Sequence, residues 1–332
     1  MPVECRWAAA PVVAALTGAL VFAVPAVAAA FGDQGTAAST FTAAPDWVAP
    51  EAGTTVIAKT TGYLAGFIKQ GGTYYVYANV TDSGNPPSGV ATERADSTQL
   101  SAGASSTTLT AGTWSVGGIT SNYRSGALGA DAALAEGART YALTSTDAAG
   151  NSRTQPGFTV TVDNTRPTAT DIQAADHPGG TDGEAEPGET ITFTFSEQID
   201  PQSVVAGWTG AATSVSVRVI DGGCVLGLGL ICHPDHVQIY DAANSAQLPL
   251  GDLELPNGGY NGVLLAVVFR PSTMVQSGNV ITVTLGPLTS GDAKTGGSGQ
   301  TTWTPSTTPY DAAGNLALGN AANESGGGDR EF

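Results

Sequence analysis

Positive charge is what this sequence has least of. Lys and Arg together number 12 in 332 residues, against 29 Asp and Glu, for a formal charge of −17. Binding to phosphates needs clustered cations that displace counterions, so no nucleic-acid role is expected, and no membrane contact beyond a targeting segment. Histidine is nearly missing, with His177, His233 and His236 the full set. Catalytic phrases are missing too: no G-x-S-x-G, H-E-x-x-H or G-x-x-x-x-G-K-[ST] occurs. Carboxylates are plentiful enough for a glycosidase-type pair, but no two of them stand in a recognisable context for one. No catalytic residue is assigned, and the chain reads as non-enzymatic. Charged residues of both signs reach only 12%, which leaves little material for amphipathic helices. What is abundant instead is Gly (44) and Pro (19), the composition of short strands joined by many turns.

The first 30 residues form an export segment. One Arg precedes an uncharged apolar run that ends in Ala26-Val27-Ala28 and Ala28-Ala29-Ala30, both small-x-small cleavage sites. The run is also long enough to serve as an uncleaved membrane anchor. Residues 31–53 are small and polar and read as a flexible leader. Within them, the phrase FGDQGTAASTFTAAPDW (Phe31–Trp47) resembles the start of mature camelysin/TasA-type proteins, a family of bacterial biofilm fibres. Cys5 leaves with the signal, so Cys224 and Cys232 remain as an even pair, which in an exported chain is read as a disulfide. A zinc site from Cys232, His233 and His236 is the alternative, but it lacks the paired C-x-x-C spacing of such sites.

The clearest local pattern is a β-hairpin. Tyr141 and Leu143 alternate with Ala142 and Thr144, the chain turns through Asp147-Ala-Ala-Gly150-Asn151, and it returns as Phe158, Val160 and Val162. Gly150 supplies the positive φ of the turn, and Asp147 caps it. The same five letters recur at Asp311-Ala-Ala-Gly314-Asn315, so two modules closing with similar hairpins are expected. Strands at short spacing, TYYVYANVT (Thr73–Thr81) the strongest, fit a sandwich over residues 54–165. Tyr141 follows Leu134 and Gly137 in the phrase L-x-x-G-x-x-x-Y, where such sandwiches turn a Tyr hydroxyl back onto the preceding corner.

The phrase from Leu134 to Asn151, followed by V-T-V-D-N-T-x-P-T, resembles the closing segment of bacterial Ig-like domains found in tandem on adhesins and surface proteins. Asp163-Asn-Thr-Arg-Pro167 matches the junction between neighbours in such arrays. The following stretch, Thr181–Val204, resembles the S-layer-type Ig-like domain, with Ile191, Phe193 and Phe195 facing inward. The resemblance implies an all-β chain: two tandem immunoglobulin-like β-sandwiches after an N-terminal signal segment. The second sandwich spans residues 166–321 and is enlarged around the cysteines, and residues 322–332 form a disordered tail. It further implies a secreted or cell-surface structural or adhesive protein, with other surface or matrix components, itself, or polysaccharide as partner. No cofactor is required. Of the two ions considered, calcium fits better than zinc, held between modules by Asp163 with Asp182, Glu184 and Glu186. Asp147 is excluded from that site because it lies at the other end of its hairpin from Asp163. Trp47, Trp114, Trp208 and Trp303 are potential sugar-stacking residues, though buried core is the commoner fate of Trp.

Overall fold

A computed structural model of the chain describes residues 46–226, 230–262 and 266–332. The expected signal segment and most of the expected leader lie outside the described residues. The first sheet holds β1 (Glu51–Lys59), β2 (Phe67–Ile68), β3 (Thr73–Thr81), β4 (Val90–Asp96), β5 (Thr107–Val116), β6 (Ile119–Ser125), β7 (Leu128–Gly129), β8 (Gly137–Asp147) and β9 (Ser152–Val162). Its order is β1-β3-β6-β5-β4-β8-β9-β2, with β7 on β3. β10 (Ala169–Ala175), β11 (Thr190–Phe195) and β12 (Thr213–Ile220) begin the second half. β13 (Cys224–Leu226) and β14 (Leu230–Cys232) form a ribbon of their own. β15 (His236–Asp241), β16 (Asp252–Glu254), β17 (Val267–Ser277), β18 (Val280–Thr284), β19 (Leu288–Ser290), β20 (Thr302–Thr304) and β21 (Ala322–Asn323) follow. The second sheet runs β10-β11-β18-β17-β12-β15-β16-β20-β21, with β19 on β17. No α-helix occurs among the described residues, and no described helix is long and apolar enough to cross a membrane.

Both sheets curl into sandwich- or barrel-like arrangements whose two sides are bridged by side chains. In the first, Gln155 on β9 accepts from the Ala52 N–H (2.7 Å) and donates to its carbonyl (3.1 Å). In the second, the Ser325 N–H donates to Asp171 on β10 (2.8 Å), and Gln173 donates to the Ser325 carbonyl (3.1 Å). Period-2 alternation gives each sheet one apolar face. Ile57, Tyr74, Val76, Leu143 and Val160 fill the first core. In the second, Phe193 and Phe195 pack edge-on to the buried Trp303 at 5.2 and 4.8 Å, and the indole N–H donates to the Leu250 carbonyl (2.7 Å). Each such ring adds about 1.5–3 kcal/mol through burial.

Four features differ from the sequence reading. The fold starts earlier than residue 54, because Asp46 is already buried and β1 begins at Glu51. Residues 322–332 are not a disordered tail. Phe332 is 1% exposed, its ring lies 6.3 Å from that of Tyr260, and its carbonyl accepts from Gly183 N (2.7 Å). The glycines that make this stretch look disordered are what let it dock: a Cβ on Gly328 would sit 2.7 Å from the Gly299 carbonyl oxygen. Tyr141 is buried, but its hydroxyl does not return to a backbone corner. It bonds Thr55 Oγ1 (3.0 Å), which itself donates to the Tyr77 carbonyl (2.8 Å), and burial pushes the phenol up to about 12. Finally, the second Asp-Ala-Ala-Gly-Asn turn closes no strand pair. Only the isolated bridges Ile199–Asp311 and Tyr310–Leu316 flank it.

Candidate functional site

That second turn lies where the two halves meet. Between Val162 and Ala169 the chain passes from one sheet to the other, and the crossing is reinforced by side chains. Lys59, at the end of β1, reaches Asp200 of the second half at 2.6 Å, both side chains being almost fully buried. Its ammonium also donates to the Ala312 carbonyl (2.8 Å), inside the turn. Lys69 donates to the Gly314 carbonyl of the same turn. Asp200 accepts from the backbone N–H groups of Tyr63 and Leu64 (2.9 Å each) and of Gln202 (3.0 Å). Burial holds the Lys59 ammonium below its ordinary range, and Asp200 opposes that shift. Arg166 adds bonds to the carbonyls of Leu316 (2.8 Å) and Ala317 (3.1 Å). Two of the few cations in the chain, Lys59 and Lys69, are thus spent on backbone carbonyls of one turn.

The geometry around the two turns is repeated. Asn151 donates from its backbone to Asp147 Oδ1 (2.7 Å) and from its amide to Asp147 Oδ2 (2.7 Å) and the Asp46 carbonyl (3.0 Å). Asn315 donates to Asp311 Oδ1 (2.8 Å), Asp311 Oδ2 (2.9 Å) and the Asp163 carbonyl (2.9 Å). Asp46 and Asp163 each begin a D-x-x-x-P phrase leading into a sheet, and each caps the N–H two residues on at 2.9 Å. After the core strands β3 and β11, the phrases Thr81-Asp82-x-x-Asn85-Pro86-x-Ser88 and Ser196-Glu197-x-x-Asp200-Pro201-x-Ser203 also correspond. Three carboxylates therefore converge twice, Asp46 with Asp82 and Asp147, and Asp163 with Glu197 and Asp311, each set within 4.8 Å. The second set borders a cleft of about 350 Å³ lined by Glu136, Thr165 and Ser196 among others. One Glu197 oxygen is buried with no hydrogen-bond partner, and burial followed by Asp163 and Asp311 raises its carboxyl well above the usual range. Such a set of hard oxygens can hold either a shared proton or a divalent cation.

The structure separates the residues expected to share calcium. Asp163 meets Glu197 at the C-terminal end of β11, whereas Asp182 and Glu184 lie beyond its N-terminal end, roughly 20 Å of strand away. Asp182 faces Arg330 (3.7 Å) and Glu184 bridges to Thr295. Asp147 and Asp163 do stand at opposite ends of the β8–β9 hairpin. Cys224 and Cys232 oppose each other directly across β13 and β14. His236 is engaged by Asp252, with Nδ1 at 2.6 Å. Trp208 and Trp303 are core residues, and Trp114 lies under the Arg124 guanidinium, 3.6 Å from its centre. Trp47 alone of the four is open, at 67% exposure, beside Val48 at 46%. The sequence reading missed Lys59, Lys69, Glu197 and Asp200. The parallel phrases after β3 and β11 were a usable signal for Glu197, while the lysines carry none.

No protein-family model matches this chain, and no curated protein matches it. Among solved structures it is similar to dimeric latent PorU from Porphyromonas gingivalis, at 14% identity and a TM-score of 0.21 over 88% of this chain. It spans 21% of the length of that chain. It is also similar to SGBP-B of the Bacteroides ovatus mixed-linkage glucan utilization locus, solved with a mixed-linkage heptasaccharide. That likeness has 12% identity and a TM-score of 0.18, covering 83% of this chain and 70% of the other. Similarity at this level carries no argument about activity or ligand.

Proposed function

We propose that this chain is a non-enzymatic, exported structural or adhesive protein of a bacterial cell surface or extracellular matrix, built from two Ig-like modules. The observation that carries this reading is the seam. A buried ion pair and two lysine-to-carbonyl clamps hold the modules as one unit, and the sequence offers no catalytic phrase for the surface to display. A covalent Cys224–Cys232 link, which their opposed positions suit, belongs to the same exported reading. The test is genetic and biochemical. A strain lacking the protein should lose adherence or matrix cohesion, and the purified mature chain, found outside the cell, should turn over no substrate. Unchanged adherence, or specific turnover, overturns it.

Polysaccharide binding is the second reading, and the open Trp47 ring favours it. Sugars stack on exposed aromatic faces, and the other three tryptophans considered for that role are covered. A glycan array should then show retention that Trp47→Ala abolishes. No retention on any sugar removes this reading.

A further inference from the structure

A third acidic group lies far from the seam, where the last residues of the chain dock on the second sheet. Glu324, Asp329 and Glu331 bring carboxylate oxygens within 4.8 Å of one another. Glu331 is 0% exposed, and neither of its oxygens has a hydrogen-bond partner. Thr301 Oγ1, buried beside it, has none either. Glu324 is also buried, while Asp329 is open to solvent. Among the described residues no cation pairs with the group: the neighbouring Arg330 is turned outward to Asp182. Glu324 Oε2 accepts from the Thr301 N–H (3.4 Å), but Glu331 has no donor on either oxygen, and two buried carboxylates so placed are costly unless something positive sits between them. Every available donor is a hard oxygen, three of them carboxylates, which is the chemistry of calcium rather than of zinc.

We propose that Glu324, Asp329 and Glu331, with the Thr301 hydroxyl, form a calcium-class divalent-cation site that clasps the terminal segment onto β20 and β21. The placement explains why so polar a stretch is anchored. Glu324 follows β21, its N–H donates to the Thr301 carbonyl (3.0 Å), and Thr301 abuts β20. Asp329 and Glu331 flank Arg330 in the docked segment, so one ion would tie both sides of the dock. Asp329 supplies the route in from solvent. Burial, and then Glu324, push the Glu331 carboxyl upward, as expected of a buried acid with no counter-charge beside it.

The probes are Ca²⁺ by calorimetry and Tb³⁺ by luminescence, the latter sensitised by Tyr260, whose hydroxyl accepts from Glu331 N at 3.4 Å. The wild-type chain should bind one Ca²⁺ more than Glu331→Gln, whichever other acidic groups also bind. Asp329→Asn, at an exposed position, should keep the fold and weaken that site about tenfold. Calcium should slow proteolysis within residues 325–332 of the wild type and not of E331Q. In chelator, E331Q should melt no lower than wild type, because a neutral amide needs no counter-charge. Equal stoichiometry in wild type and E331Q, or unchanged affinity in D329N, overturns the proposal and leaves a shared proton as the occupant.

Discussion

Asp200 holds a buried cation and three backbone N–H groups at once, so its loss and the loss of Lys59 are not equivalent. Asp200→Ala leaves a buried ammonium with carbonyls, the Tyr310 ring and the nearby Asp311 carboxylate to face, and should cost about 3–5 kcal/mol. Lys59→Met leaves Asp200 with its backbone donors intact and should cost less. Denaturant midpoints of the two variants give the comparison, and equal losses would show the pair acting only through its mutual attraction. Little of this was legible in the residues. The phrase around Asp200 reads as a loop signature, and Asp-Pro as a turn start. Nothing near Lys59 shows that its partner is a residue from the other half of the chain, because a buried pair is specified by tertiary contact and leaves no local period. Tyr141 shows the same limit. Its burial follows from strand alternation, but its partner, Thr55, comes from a different strand.

The two Asp-Ala-Ala-Gly-Asn turns form a matched pair of elements in different surroundings. Gly150 and Gly314 adopt φ of +94° and +96°, where a Cβ is strained. Alanine at either should cost about 1–2 kcal/mol for that reason alone. A Cβ at Gly150 meets nothing within 4 Å, but at Gly314 it sits 3.4 Å from Lys59 Cδ and 3.9 Å from Lys69 Cε. Both are ordinary van der Waals separations, so Gly314→Ala and Gly150→Ala should lower the melting temperature about equally, and a larger loss at Gly314 would mean that the added methyl disturbs the lysine clamps. For the β13–β14 ribbon, thiol titration of the unfolded, unreduced mature chain should find no free thiol. Reduction should then lower stability by at most about 2–3 kcal/mol, since the loop is short. Elements were the most legible scale. Alternation placed β3, β8 and β11, and the turn letters were read correctly as a turn. The same letters made a hairpin of the second copy, because five residues encode their own hydrogen bonds and not the strands beside them. The docked end was hidden by its composition, since a single Phe after three glycines gives no periodicity to read.

At the scale of the molecule, the unusual groups are acids that burial makes reluctant to ionise. Glu189 is raised to about 8 by burial first and then by Asp176 and Glu186, and Glu197 and Glu331 move the same way. A carboxyl whose folded value exceeds its unfolded value near 4.5 binds its proton more tightly in the folded state. The stabilisation is complete below about 4.5 and is lost as pH rises through about 8. Melting temperatures in chelator should thus fall between pH 5 and pH 9, and Glu197→Gln should flatten part of the slope. A flat profile in the wild type would mean these groups ionise without cost. The all-β class was legible from composition alone, whereas the closeness of the two halves was not, because the junction phrase marks a boundary and says nothing about what spans it. That seam has a mechanical consequence. A peptide linker by itself is a swivel, and one added tie makes it a hinge. Here the linker is joined by Lys59 on Asp200 and by Lys69 on Gly314, and a third tie removes the hinge axis unless it lies along it. A pull on either half is then carried to the other as through a beam, with the compliance of the chain moved away from its middle.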